Sequence, residues 1–110
     1  MTLLSFGAAL ASVVPDCNHF TAIKKPDKYI VWAEDGQADA EHGDDRMVEQ
    51  TLIGTIDYFT RMEFDPNVKK IQKALNDIGV GWRLNSIQYE DDTKYIHYEW
   101  VWEMEVSPDG

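Results

Sequence analysis

The chain has 110 residues, 44% of them apolar, enough for one domain around one hydrophobic core. Twenty acidic against ten basic residues leave a formal charge of −10, which argues against generic attraction to a nucleic-acid backbone. A single cysteine, Cys17, excludes an internal disulfide and points to a reducing compartment.

The opening MTLLSFGAALASVVP has an apolar run but no basic residues before it, so neither a cleaved leader nor a membrane span is expected. Leu3 to Val14 reads as a helix. Leu3, Phe6, Leu10 and Val14 approximate one stripe, Thr2 or Ser5 is positioned to cap it, and Pro15 ends it. Its apolar character extends nearly all round, which suggests packing on a sheet plus a second contact. Asp16 to Asp27 reads as a connection. Lys28 to Ala33 is a short strand, introduced by the Pro26–Asp27 turn. The following EDGQADAEHGDDR, residues 34–46, is crowded with Asp and Glu and has no large apolar side chain. It is expected to be a mobile loop, because it buries too little to offset its ordering cost.

Val48 to Thr60 is expected to be a long strand, with Leu52, Gly54, Ile56 and Tyr58 on one face and Ile53, Thr55, Asp57 and Phe59 on the other. Asp65 and Pro66 then suit the N-cap and first turn of a helix whose stripe is Val68, Ile71, Leu75 and Ile78, with Gly79 at its left-handed stop. Two strands follow, joined by the turn-forming Glu90, Asp91, Asp92 and Thr93. In the second, Ile96, Tyr98, Trp100, Trp102 and Met104 alternate against Tyr95, His97, Glu99, Val101 and Glu103. In the first, Trp82 and Leu84 fall out of phase with Ile87 and Tyr89, and a bulge near Asn85 or Ser86 would bring all four to the core side.

The order α-β-β-α-β-β predicts an α+β two-layer sandwich: a four-stranded, mostly antiparallel sheet with both helices on one face. Residues 1–110 form a single domain, ending in a short polar tail at 106–110.

No catalytic motif is evident. Cys17 and His19 stand two apart without an orienting acid, which falls short of a nucleophile system. His42 beside Glu41, Asp44 and Asp45 lacks the spacing of a calcium loop. Gly79-Val80-Gly81 follows a helix and is no phosphate loop. No enzyme activity, cofactor or metal is therefore expected. The excess of aromatic side chains directs attention to the uncovered sheet face instead. Ile53, Phe59, Tyr95, His97 and Val101 are its candidate contact residues, and Glu34, Asp35, Asp44 and Asp45 those of the acidic segment. A self-assembling or structural protein is the leading reading, and a soluble peptide-binding or adaptor module the alternative.

GTIDYFTRMEFDP at 54–66, WRLNSIQYEDDTKYIHYEWVWEME at 82–105 and YIVWAEDG at 29–36 resemble small minor tail proteins of long-tailed bacteriophages and Gram-positive prophages, nearest in class to tail terminator or tail completion proteins. The resemblance is one of texture and element order and brings no catalytic residues. It implies a hexameric ring that caps the tail tube and joins it to the head. The implied partners are other copies of the chain, the tube protein and head–tail connector proteins. The implied location is the virion tail, reached from the bacterial host cytoplasm during assembly. The segment at 34–46 departs from the pattern and leaves room for a neighbouring connector family.

Overall fold

The computed structural model describes residues 2–38 and 50–106. Helix α1, Leu3–Ala11, leads into a short strand β1, Cys17–His19. Strands β2, Lys28–Gln37, and β3, Gln50–Thr60, follow. Helix α2, Asn67–Asp77, precedes the hairpin of β4, Gly81–Tyr89, and β5, Ile96–Val106. The strands form one sheet in the order β1-β2-β3-β5-β4, with β1 parallel to β2 and every other pair antiparallel.

The four-stranded expectation is thus corrected: the sheet is five-stranded and mixed, still with an α+β composition. The extra strand lies in what reads as a connection. Its three residues, Cys-Asn-His, are too few for a periodic signal, and its pairing rests on main-chain contacts such as Ile30 N–H to the Asp16 carbonyl, 2.8 Å. A second correction concerns residues 34–46. Glu34, Asp35, Gly36 and Gln37 continue β2 against β3, with a register shift between Glu34 and Gly36. Residues 39–46 lie outside the described residues, as do 107–110 of the expected tail, while Val106 is buried as the last residue of β5.

Both helices cover the sheet face that carries Ile30, Trp32, Ile56, Tyr58, Trp100 and Trp102, all buried. Phe6 of α1 packs edge-on to Trp32 and against Trp102, and Ile71 and Leu75 of α2 complete the core. Trp100 is fully enclosed, and its indole N–H donates to Gln72 Oε1 of α2 at 3.1 Å. Close approach sets one glycine. A Cβ on Gly54 would lie 2.5 Å from Cζ2 of Trp102 and against the carbonyl oxygen of Ala33, so the indole crosses the strand only where no side chain stands.

Helix α1 is capped by Thr2, whose hydroxyl accepts from Ser5 N–H at 3.0 Å while Ser5 Oγ accepts from Thr2 N–H. It ends at Ala11, four residues before Pro15. Pro66, not Asp65, is the N-cap of α2, which begins one residue later than expected, and the turn before it is tied to β3 by Asp65. Its Oδ1 accepts from Asn67 N–H at 2.9 Å, while Oδ2 accepts from the Tyr58 and Thr60 hydroxyls at 2.6 and 2.7 Å. Burial alone would raise this carboxyl, but these donors and nearby Lys28 hold it below the ordinary range. Burial and the bond to Asp65 push Tyr58 up to about 12.

The Asn85 bulge is present. Leu84 pairs with Trp100, and the register then shifts so that Ser86 pairs with Glu99 and Ile87 with Tyr98. Trp82, Leu84, Ile87 and Tyr89 therefore share the helix-side face. Trp82 and Leu84 are half-buried in the core, whereas Ile87 and Tyr89 remain more than half exposed at the far end of the strand.

Candidate functional site: the open sheet face

Cross-strand register lays out the face opposite the helices in rows. Tyr29, Phe59, His97 and Gln88 form one row; Val31, Asp57, Glu99 and Ser86 the next; Ala33, Thr55, Val101 and Arg83 the third. Ile53 stands between Gly36 and Glu103 in a fourth. These residues alternate with the core-facing set along each strand, so the same periodicity that builds the core builds this surface.

The first row is an aromatic stack. Tyr29 lies on Phe59 with ring centroids 4.6 Å apart, and Phe59 lies on His97 at 4.3 Å. Tyr95 meets Tyr29 and Phe59 edge-on, at 5.6 and 5.9 Å. The connection between β1 and β2 closes over this end. The Tyr95 hydroxyl reaches the carbonyls of Lys25 and Pro26 at 2.7 and 2.6 Å, sharing its one proton between them. Arg61 spreads over the Tyr95 ring at 4.1 Å, and its Nη1 donates to Asp27 at 2.6 Å. Tyr95 is consequently only 3% exposed. Of the open-face set, it serves as a packing anchor, unavailable to a partner on this surface.

Beside the stack, His97 Nε2 and Asp57 Oδ1 are 2.7 Å apart, with about a fifth of each side chain exposed. The bond to Asp57 chiefly holds His97 above its ordinary range. Burial opposes this, and Asp57, Glu90 and Glu99 add to it by their charge. The pair lines a cleft of about 400 Å³ whose walls include Phe20, Thr21, Lys25 and Phe59. Phe20 enters the turn with a left-handed φ of 70°, which only the surrounding contacts can hold for so bulky a residue. Its N–H donates to the Trp32 carbonyl at 2.8 Å, and its ring stacks on His19. Neither sequence spacing nor periodicity indicated the histidine–carboxylate pair, since its members are forty residues apart and diagonal across two strands.

The other end of the face is open. Ile53 is 38% exposed and Val101 half-buried, and both line a groove of about 940 Å³ together with Asp35, Arg83 and Glu103. Glu34 points instead to the β1 edge, where its Oε1 meets His19 Nε2 at 2.5 Å, and Asp35 is exposed. Asp44 and Asp45 lie outside the described residues. The structure therefore gathers Phe59 and His97 at one end and Ile53, Val101 and Asp35 at the other.

Cys17 and His19 do not converge into a nucleophile pair. Cys17 Sγ lies 4.0 Å from the Gly7 carbonyl, while His19 is committed to Glu34 and stacked on Trp32 at 4.0 Å. Burial, with Asp16 adding, pushes the thiol up to about 11, far from the reactive thiolate range. Among the described residues no three His, Cys, Asp or Glu side chains cluster as metal ligands. His42 and its acidic neighbours lie outside that set. No described helix is long and apolar enough to cross a membrane.

No protein-family model matches the chain, and no curated protein matches it by sequence similarity.

Proposed function

We propose that the chain is a structural protein of a bacteriophage or prophage tail, a tail-completion subunit that works as a closed, hexameric ring joining tube to head. The observation that carries this reading is the apolar surface left uncovered by a complete core. Ile53 is 38%, Ile87 57%, Tyr89 59%, Leu4 86% and Phe64 88% exposed, on a chain of only 110 residues. Large apolar side chains distributed over several surfaces fit a subunit with more than one neighbour. The resemblance of 29–36, 54–66 and 82–105 to small tail proteins supports the same reading. The net charge of −10 suits a conduit that lets a duplex pass without adhering to it. Its partners are then further copies, the tube protein and head–tail connectors, with neither a cofactor nor sequence-specific nucleic-acid contact.

The test is imaging of the purified protein mixed with unterminated tail tubes. A six-fold ring at one tube end is the expected result. Bare tube ends, under conditions in which an established terminator binds, would overturn the proposal.

The cleft beside Asp57 and His97 favours the second reading, a monomeric binding module. An aromatic floor with a few convergent polar groups is what an inserted peptide side chain requires. Calorimetric binding of a peptide, abolished by Phe59→Ala and unaccompanied by any attachment to tubes, would establish that reading instead.

A further inference from the structure

We infer that two copies of the chain pair through the outer edge of β4, antiparallel about a two-fold axis between Asn85 and Ser86, joining their sheets into one. This goes beyond the ring reading and uses a surface other than the open sheet face. Three observations carry it.

The first is an unguarded edge. Strand β4 pairs only with β5, and its other side has no strand partner among the described residues. Its nine residues hold no proline and only one charge, that of Arg83, so they form a long template for a further strand. Helix α2 protects one end of it. There the Trp82 indole N–H donates to Asn76 Oδ1 at 2.8 Å, whereas Ile87 and Tyr89 toward the other end are 57% and 59% exposed.

The second is the bulge, which selects the occupant. Trp82, Leu84, Ile87 and Tyr89 face the helices. Asn85 joins Arg83, Ser86 and Gln88 on the open face, its side-chain amide donating to Glu99 at 2.7 Å. A regular strand laid along β4 would match faces on one side of Asn85 and fall out of phase on the other, which is how a bulge guards an edge. A strand with the same phase break, run antiparallel, stays in phase throughout. Among registers that use the whole strand, only the one centred between Asn85 and Ser86 sets like face against like. It places Leu84 opposite Ile87, and Trp82 opposite Tyr89, of the other copy. The uncovered end of each β4 thus meets the covered end of its mate. On the open face the same register opposes Arg83 to Gln88.

Charge is the third. Strands β2, β3 and β5 all contain acids, and in a chain of net charge −10 most self-contacts bring acids together. Strand β4 contains none. Arg83, exposed and without an ion pair among the described residues, stands near its start, and Glu90, Asp91 and Asp92 follow its end. In the two-fold register Arg83 of each copy lies diagonal to Glu90 of the other, within reach of a long side chain. The junction therefore carries two symmetric contacts of opposite charge. Such a contact is isologous and closes at two copies.

The experiment uses the full chain in a Cys17→Ser background. With Arg83→Cys and Gln88→Cys together, oxidation at high protein concentration is expected to give a cross-linked dimer and nothing larger. Opposite residues of an antiparallel pair have Cα atoms about 4.5–5.5 Å apart, a span that a disulfide bridges. Within one chain the two cysteines are about 17 Å apart along the strand, too far for an internal bridge. Each single-cysteine variant should give no cross-link, and a mixture of the two should restore the dimer. Sedimentation equilibrium supplies a second readout. Arg83→Glu is expected to weaken dimerisation about tenfold, and Arg83→Glu with Glu90→Lys in one chain to recover most of that loss. Ile87→Lys, which sets a charge on the apolar side of the edge, should give a monomer with an unchanged far-UV circular dichroism spectrum.

A monomer at every concentration, a cross-linked dimer from either single cysteine, a ladder beyond the dimer, or dimerisation untouched by Ile87→Lys would overturn the inference. Rings at tube ends from a chain that does not dimerise would reject this pairing while preserving the tail function. Dimers that never attach to tubes would do the reverse.

Discussion

His97 illustrates how much a single side chain owes to residues far away in sequence. Its position opposite the aromatic stripe follows from alternation, but its neighbours follow from register. Phe59 stacks on it, and Asp57, one strand over, bonds to its imidazole at 2.7 Å. The bond favours the protonated ring, so its folded pKa lies above the ordinary value, near 6.5 in an unfolded chain. A raised pKa contributes stability fully below the unfolded value and loses that contribution as pH rises through the folded one. Asp57→Asn should therefore lower the His97 titration midpoint, read from its imidazole NMR signals. The stability lost by the variant should be greater at about pH 5.5 than at about pH 8. An unmoved midpoint would show that the 2.7 Å contact has no electrostatic consequence. Asp65 follows the same logic in reverse. It was legible as a helix-start residue, but the Tyr58 and Thr60 hydroxyls that converge on it come from the preceding strand and are not signalled by capping chemistry.

Among the elements, the strongly periodic ones were legible and the ones held by pairing were not. The β5 alternation places Trp100, Trp102 and Met104 in the core, and the phase break in β4 marks the bulge that turns Trp82 and Ile87 to one face. The stripe of α2 and the left-handed Gly79, φ 78°, also follow from local chemistry. Strand β1 was hidden because three residues display no period. The end of β2 was hidden because Glu34, Asp35 and Gly36 are poor strand formers that β3 nonetheless pairs. Nor does alternation reveal where the helices stop covering the sheet. Trp100 and Ile87 occupy the same face, yet one is 0% and the other 57% exposed. Trp100→Ala should cost about 3–5 kcal/mol in denaturant unfolding, whereas Ile87→Ala should cost under about 1 kcal/mol. Comparable losses would mean that the margin near Ile87 is covered in the free subunit. The exposure of Ile87 in a foldable chain leaves it available to a neighbour.

The balance of forces for the whole molecule is set by a net charge of −10 acting at long range against contacts that act only when surfaces meet. Copies approaching one another feel the repulsion first. At about 0.01 M salt the screening length is roughly 30 Å, more than the spacing of several strands, so all the acidic residues oppose the approach. Near 0.15 M it falls to about 8 Å. Most of that repulsion is then screened, while a cation and a carboxylate in direct contact across the junction, and apolar neighbours such as Ile53 and Val101, are much less affected. Added salt should therefore strengthen self-association between about 0.01 and 0.15 M and change it little just above that. An assembly held mainly by surface ion pairs would weaken throughout. Sedimentation equilibrium across that salt series distinguishes the two. Association that is tightest at the lowest salt would mean that opposite charges dominate the contact. The expected trend instead assigns the affinity to apolar burial rather than to opposite charges.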